Sequence, residues 1–391
     1  MVDRPLASPG RHAVQRLDGA LLAVTFLLLG LGLVMVASAS IFWSTAVSGH
    51  AWRVFDRQFI FALLGLAAGF VVLNVPLGLL LRLRLLALAL ALLLLVLVLV
   101  PGIGREVNGS IRWLPLGPVR IQASEPALLL LAIYLAGYAS EQGDQLRKNL
   151  AGLIRPLLVV GCCAMLLLLE PDFGAAVVLM AMTGTVFFLA GARWRDMIRV
   201  ALVAVLGLLL VALAAPYRVI RLTTFLDPWH HALGGGFQLA QSLMAIGHGG
   251  WLGVGLGRGI EKMFYLPEPE SDFIFAVIGE ELGFVGMMVT LALYGYLLLR
   301  IFRIARLAEI SGRGFEGLLC YAVGGWIGME ALINMGVNLG ALPTKGITLP
   351  LLSAGGSNLV VTLVAIGLVL NVGANLDGRR ARGGASGREY A

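Results

Sequence analysis

The feature that most constrains this chain is a succession of ten apolar stretches, each about the length needed to cross a bilayer. They are residues 18–39, 57–75, 83–100, 123–139, 154–169, 173–190, 197–215, 273–299, 316–338 and 353–374. Hydrophobic residues fill 59% of the 391 positions and charged residues only 13%, against about 45–50% and 25% in soluble domains. A single soluble core cannot hide that much apolar surface; a bilayer can. The sequence therefore predicts an all-α polytopic membrane protein of about ten transmembrane helices. The first stretch follows Arg4, Arg11 and Arg16 and reaches Ala37-Ser38-Ala39, which resembles a signal-peptide cleavage site. Its apolar run from Leu21 to Ala39 is longer than the roughly 7–15 residues of a signal core, so it reads as an uncleaved span.

Charge placement orients the spans. With the N-terminus in the cytoplasm, 19 of the 29 Lys and Arg fall on the cytoplasmic side, as the positive-inside bias requires. An even number of spans follows, with a cytoplasmic N-tail (1–17), a membrane domain (18–375) and a basic cytoplasmic C-tail (376–391). The net charge of +7 is spread over short loops and forms no stripe of the kind that binds nucleic acid. Cys162, Cys163 and Cys320 lie inside apolar segments, with neither disulfide nor metal spacing. No Gly-Lys-Ser/Thr phosphate loop is present, so nothing reads as an ATP-driven pump. Between the seventh and eighth spans, residues 216–272 form a long extracytoplasmic loop with amphipathic stretches at Phe237–Ile246 and Trp251–Leu256. Short interfacial or re-entrant helices are expected there.

Ionisable groups in or beside spans cost roughly 2.5–3.5 kcal/mol each on insertion scales, which makes them functional candidates. They are Glu125, Glu170, Asp172, Asp272, Glu280, Glu281 and Glu330, and all but Glu330 fall near the outer ends of spans. Cations on that side are Arg105, Arg112, Arg120, Arg218, Arg221, Arg258, Lys262 and Lys345. Such a set suits an anionic, membrane-borne substrate. Asp272 opens an apolar helix, where it reads either as an N-cap or as a general base held among cations. On helical geometry Glu280 shares a cavity with Asp272 more readily than Glu281 does, although a structural ion pair suits both. Glu125 reads as a helix-start carboxylate, and Glu170-Pro171-Asp172 as a turn with a cap. His230 and His231, beside Trp229, read as interfacial, and no His/Cys spacing supports zinc.

Five ordered motifs then resemble one family. They are Asn108-Gly-Ser-Ile-Arg-Trp-Leu114, Gln122-Ala-Ser-Glu125, Glu170-Pro-Asp-Phe-Gly174, Gly236-Phe-Gln-Leu-Ala-Gln-Ser-Leu243 and Leu266-Pro-Glu-Pro-Glu-Ser-Asp-Phe-Ile-Phe-Ala-Val-Ile-Gly-Glu-Glu-Leu-Gly283. Together they resemble the SEDS (shape, elongation, division and sporulation) proteins, the FtsW/RodA group, from about Asp18 to Asn375. Leu342-Pro-Thr-Lys-Gly-Ile-Thr-Leu-Pro-Leu-Leu-Ser353 and Pro216-Tyr-Arg-Val-Ile-Arg221 are similar to the division branch rather than the elongation branch.

The resemblance implies a peptidoglycan glycosyltransferase that polymerises lipid II, a disaccharide-pentapeptide on undecaprenyl diphosphate, at the outer face of the cytoplasmic membrane. Asp272 matches the family's essential carboxylate and is the expected general base of an inverting transfer. Arg218, Arg221, Arg258, Lys262, Lys345, Arg112, Asn108, Gln238, Gln241, Glu125 and Ser357 are the expected substrate-binding set. No organic cofactor is implied. A divalent cation, Mg or Mn, would assist departure of the diphosphate, with Glu280 as a candidate ligand. The implied partners are lipid II, the growing glycan-lipid, a class B penicillin-binding protein and other divisome membrane proteins, at the septum. A lipid II flippase, an elongation polymerase and a non-enzymatic scaffold are the alternatives.

Several positions depart from the family pattern. Leu128 stands where a Lys usually follows the Glu125 equivalent, Ala123 replaces a Pro, Glu270-Ser271 replaces His-Thr, and Ala354 and Asn358 replace Tyr and Ser. Glu125 must therefore be paired elsewhere or be protonated. Glu270 is expected to raise the pKa of Asp272 by repulsion.

Overall fold

The computed structural model describes residues 17–107, 110–117, 119–148, 151–213, 224–263 and 265–386. Each of the ten apolar stretches holds a helix. In chain order the helices are α1 (Gly19–Ser48), α2 (Arg53–Val72), α3 (Leu77–Arg82), α4 (Arg84–Leu99), α5 (Ser124–Glu141), α6 (Gly143–Lys148), α7 (Ala151–Leu169), α8 (Phe173–Leu189), α9 (Trp194–Leu213), α10 (Phe237–Gly249), α11 (Ile274–Ile310), α12 (Gly314–Asn338) and α13 (Gly356–Ser386). Among the described residues six of these are long and apolar enough to cross a bilayer, and α4 and α8 are shorter apolar helices. Leu158, Val203 and Leu299 project outward at 68–70% exposure. Side chains of that kind belong against lipid tails, and the chain is a multi-pass membrane protein.

The centre of the bundle is α12. Trp326, Ile327, Val323 and Ala322 on it are fully buried, and α5, α8, α11 and α13 pack round it. Without a hydrophobic force between helices in lipid, close approach is won by small residues. The α2–α13 seam shows this. A β-carbon at Gly65 would meet Leu363 at 2.6 Å, and one at Gly367 would meet the Gly69 carbonyl at 2.7 Å. The motif on α2 is a Gly-x-x-x-Gly.

Two features lie outside a plain bundle. A three-stranded antiparallel sheet joins α4 to α5: β1 (Arg105–Val107), β2 (Ser110–Leu116) and β3 (Val119–Gln122), in that order. Trp113 pairs with Gln122 and Pro115 with Arg120. Sequence reasoning passed over this sheet, although Asn108-Gly109 between Val107 and Ser110 is the strongest short hairpin signal. The second feature is a break in α11. Gly283 sits at φ 66, ψ −166, and the helix resumes beyond it. The backbone groups freed there pair with the segment after α10: Val254 and Gly255 donate to the carbonyls of Glu280 and Glu281, and Phe284 donates to Gly250, all at 2.9–3.0 Å. Of the two stretches expected to be helical in the long connection, the first is α10 and the second, Trp251–Leu256, is this irregular docked segment.

Candidate active site

One end of the bundle encloses a cavity of about 570 Å³. The end of α1 contributes Trp43 and Ser44, and the first turns of α2 contribute Arg53, Arg57, Gln58 and Phe61. The sheet adds Arg112, Trp113, Arg120 and Gln122. The approach to α11 brings Glu268, Glu270, Ser271 and Asp272, and the approach to α13 brings Gly346, Thr348 and Gly355–Asn358. A second space of about 480 Å³ runs on along α2, lined by His50, Asp56, Ile60 and Leu64, and shares Ser48, Arg53, Arg57 and Phe61 with the first. Ile60 and Leu64 are more than half exposed on that face.

Three segments distant in sequence fix the walls. Ser353 is the junction. Its Oγ donates to the Ser271 carbonyl at 2.5 Å and accepts the Leu349 N–H at 2.8 Å, while its own carbonyl accepts Gln58 Nε2 at 2.8 Å. The Asp272 segment is thereby tied to the arginine-bearing start of α2. Ser357 Oγ accepts the Gln122 N–H at 3.0 Å, which seats α13 against the sheet.

Asp272 is half-buried and stands just before α11. Its carbonyl accepts Asn334 Nδ2 at 2.9 Å and Asn338 Nδ2 at 3.0 Å. Burial pushes its carboxyl up to about 7, helped by the charges of Glu268 and then Glu270 and opposed by Arg112. Glu270 raises it as expected, and Glu268, which the sequence did not single out, is the larger anionic neighbour. Glu270 is itself pushed up to about 7, chiefly by burial. A carboxyl poised near neutrality, in a cavity that four arginines also line, can take a proton from a substrate hydroxyl. The arginines can hold a diphosphate.

Of the substrate-binding residues expected from sequence, Arg112 and Ser357 line this cavity with Asp272. Glu125 lies behind it, in a small inner cavity with Asp172 and Glu330. The missing lysine partner is replaced by Asn358, whose Nδ2 donates to Glu125 Oε2 at 3.0 Å and to Glu330 Oε2 at 3.2 Å. Lys345 stacks over the Phe173 ring at 4.4 Å. Arg258 is exposed in the docked segment, and Gln238 and Gln241 stand on α10, outside the cavity lining. Lys262 is fully buried against Glu281. Arg218, Arg221 and Asn108 lie outside the described residues.

Glu280 does not share the Asp272 cavity. Its Oε1 accepts the N–H groups of Ile260 and Glu261 at 2.7 and 3.2 Å, so it holds the docked segment. The helical extrapolation failed because Asp272 precedes the helix and does not follow its 100° steps. Among the described residues no three His, Cys, Asp or Glu side chains converge as a metal site. Positive charge in the cavity comes from arginine.

Sequence reasoning missed Arg53 and Arg57. Their signal was present: two arginines one helical turn apart at the head of an apolar helix, on the side that the positive-inside bias leaves poor in cations. Asp172 does act as a cap, accepting the Ala175 N–H at 3.1 Å, and its other oxygen accepts Gln122 Nε2 and Ser124 Oγ, both at 3.1 Å. Glu170 is fully buried, and among the described residues neither of its carboxyl oxygens is hydrogen-bonded. Burial and the Asp172 charge push it up to about 9.

Known proteins share both sequence and architecture with this chain. It is 51% identical to the probable peptidoglycan glycosyltransferase FtsW of Thioalkalivibrio sulfidiphilus over 92% of this chain and 90% of that one. It is 42% identical to the protein of the same name from Legionella pneumophila, over 93% and 92%. Among solved structures, a chain from a peptidoglycan synthase complex that coordinates polymerization and crosslinking superposes with TM-score 0.73 at 31% identity, over 92% of this chain and 98% of that one. The Thermus thermophilus rod shape determining protein RodA superposes with TM-score 0.66 at 30% identity, over 91% and 96%. The family model for the cell cycle proteins FtsW, RodA and SpoVE matches residues 19–377, and the chain belongs to that family.

Proposed function

We propose that the chain is a peptidoglycan glycosyltransferase that polymerises lipid II into glycan strands for the division septum. The observation that carries this reading is the position of Asp272, in a cavity with Arg53, Arg57, Arg112 and Arg120 that runs into a second, lipid-facing space along α2. Two lipid-linked sugars need two adjoining spaces, each with an apolar exit for its tail. The arginines at the shared wall meet the diphosphates.

In the reaction, the hydroxyl oxygen of the acceptor sugar attacks the anomeric carbon of the donor. The bond from that carbon to the diphosphate oxygen breaks, and the lipid diphosphate leaves with the electron pair. Asp272 receives the hydroxyl proton. Charge grows on the leaving diphosphate, where the guanidinium groups stabilise it. A single displacement turns an α-linked donor into a β-linked product with no covalent intermediate. Burial and the Glu268 charge hold Asp272 near the pKa at which a base is both available and strong enough at physiological pH.

The charge asymmetry of the loops supports a place in the bacterial cytoplasmic membrane, both termini cytoplasmic and the Asp272 end facing out. The peptidoglycan synthase complex to which the fold is similar supports a class B penicillin-binding protein as partner. Liposomes holding the full-length protein, that partner and labelled lipid II test the reading. Wild type is expected to make glycan strands and Asp272→Asn none, with both variants folded. Undiminished polymerisation by Asp272→Asn rejects the mechanism, and transfer of lipid II across the bilayer without polymer makes the protein a flippase.

A further inference from the structure

A carboxylate just ahead of a helix ordinarily accepts a backbone N–H from the first turn. At α11 it does not. The residue at the cap position is Phe273, and no hydrogen bond runs from that turn to a side chain of its own segment. The side-chain acceptor comes from another helix: the Ala276 N–H is shared between the Phe273 carbonyl at 3.0 Å and Asn338 Oδ1, near the end of α12, at 2.9 Å.

We propose that Asn338 is a positioning residue for Asp272: it caps α11 in place of the aspartate and so leaves the Asp272 carboxyl turned to the cavity. The inference rests on the glycosyltransferase reading for its functional meaning. The geometry admits one orientation of the Asn338 amide. Oδ1 faces the Ala276 N–H, and Nδ2 donates to the Asp272 carbonyl at 3.0 Å and the Asn334 carbonyl at 2.8 Å. A flipped amide would set donor against donor at Ala276. Asn338 is fully buried, and its own carbonyl accepts Ser242 Oγ of α10 at 2.9 Å, so its position is fixed from two helices. The same amide therefore holds the aspartate's main chain and removes the nearest competitor for its side chain. Gly346 leaves room for the result: a β-carbon there would lie 2.8 Å from Asp272 Oδ2.

Removing the surrogate cap leaves the Ala276 N–H with the Phe273 carbonyl as its one remaining described acceptor, and the Asp272 carboxylate can take the place that Asn338 Oδ1 held. A hydrogen bond to the charged form lowers a carboxyl pKa. In Asn338→Leu, Asp272 should therefore titrate about one pH unit or more below its wild-type midpoint. Infrared difference titration of the full-length protein against its Asp272→Asn counterpart reads this without substrate. In the lipid II assay the acid limb of kcat should move by the same amount. kcat at pH 8 should fall about tenfold, with KM unchanged, because the base has turned from the acceptor.

If Asn338→Leu leaves the midpoint where it was in folded protein, the inference is overturned. If it is not recovered folded, Asn338→Ala takes its place: a lowered midpoint supports the inference and an unmoved one overturns it. A shifted titration in a protein that makes no glycan rejects the proposed function and leaves the positioning role standing.

Discussion

Lys262 Nζ lies 2.5 Å from Glu281 Oε1, with both side chains at 1% exposure or less. Ser38 of α1 completes the unit: its Oγ accepts from Lys262 at 2.8 Å and donates to Glu281 at 2.7 Å. Glu281 Oε2 also accepts the Gly257 N–H at 3.0 Å. One buried ion pair thus joins α1, the docked segment and the break in α11. Breaking such a pair strands a charge at a cost of about 3–5 kcal/mol, whereas replacing both partners by apolar side chains is often neutral. Lys262→Met should lower the unfolding temperature in detergent sharply, and Lys262→Met/Glu281→Met should recover most of the loss. Equal stability of the single variant and wild type would remove the pair from any account of the loop.

The pH dependence of polymerisation should report Asp272. A base works when ionised, so activity should climb as pH rises through about 7. The Glu268 charge raises that midpoint and Arg112 lowers it. Glu268→Gln should therefore shift the acid limb to lower pH, and Arg112→Gln should shift it to higher pH. Limbs that stay put in both variants would assign the titration to another group.

Glu170 makes a separate prediction about stability. Its carboxyl is pushed up to about 9 in the folded chain, against an ordinary glutamate value near 4.3. The native state holds a proton there that the unfolded state has released, so this stabilising contribution is complete below the unfolded value. It is lost progressively as pH rises to about 9. Glu170→Gln cannot ionise, and its melting temperature should fall less than that of wild type between pH 5 and pH 9. Parallel melting curves across that range would mean the carboxyl is satisfied in some other way.

At Gly346 a single methyl group tests the cavity. The added β-carbon of Gly346→Ala would lie 2.8 Å from Asp272 Oδ2, inside contact distance, so the carboxyl must swing aside. Polymerisation should drop about tenfold or more, since misplacement by 1 Å is worth that much. Thermal stability should change by less than about 1 kcal/mol, because the carboxylate can move into open space. A fully active variant would show that the base does not work from the position described.

What the sequence made legible follows the range of the interactions involved. The ten apolar stretches depend on local composition, and each holds a helix. Asp172 as a cap needs only its next three residues, and it caps. Asp272 stood out because a carboxylate beside an apolar run is conspicuous in any order. By contrast, the Gln58–Ser353 bond spans 295 positions and the Ala276–Asn338 bond 62. No periodicity announces such pairs. Glu280 was misplaced for a related reason: its partners are backbone N–H groups of Ile260 and Glu261, which carry no signature in the residue letters. Arg53 and Arg57 gain their meaning only from the fold, which sets the start of α2 beside the sheet and Asp272 around one cavity.

The glycine seam between α2 and α13 carries a consequence for how the site tolerates change. Gly65 and Gly69 on one helix and Gly367 on the other leave no space for even one extra carbon. The helix that presents Arg53 and Arg57 and the helix that presents Ser357 and Asn358 therefore behave as one casting. A methyl group added deep in the seam acts as a wedge and spreads the cavity far above it, with no active-site residue altered. Variation that tunes the reach of the arginines is confined to the rim, and screens for altered strand length will find their gains there.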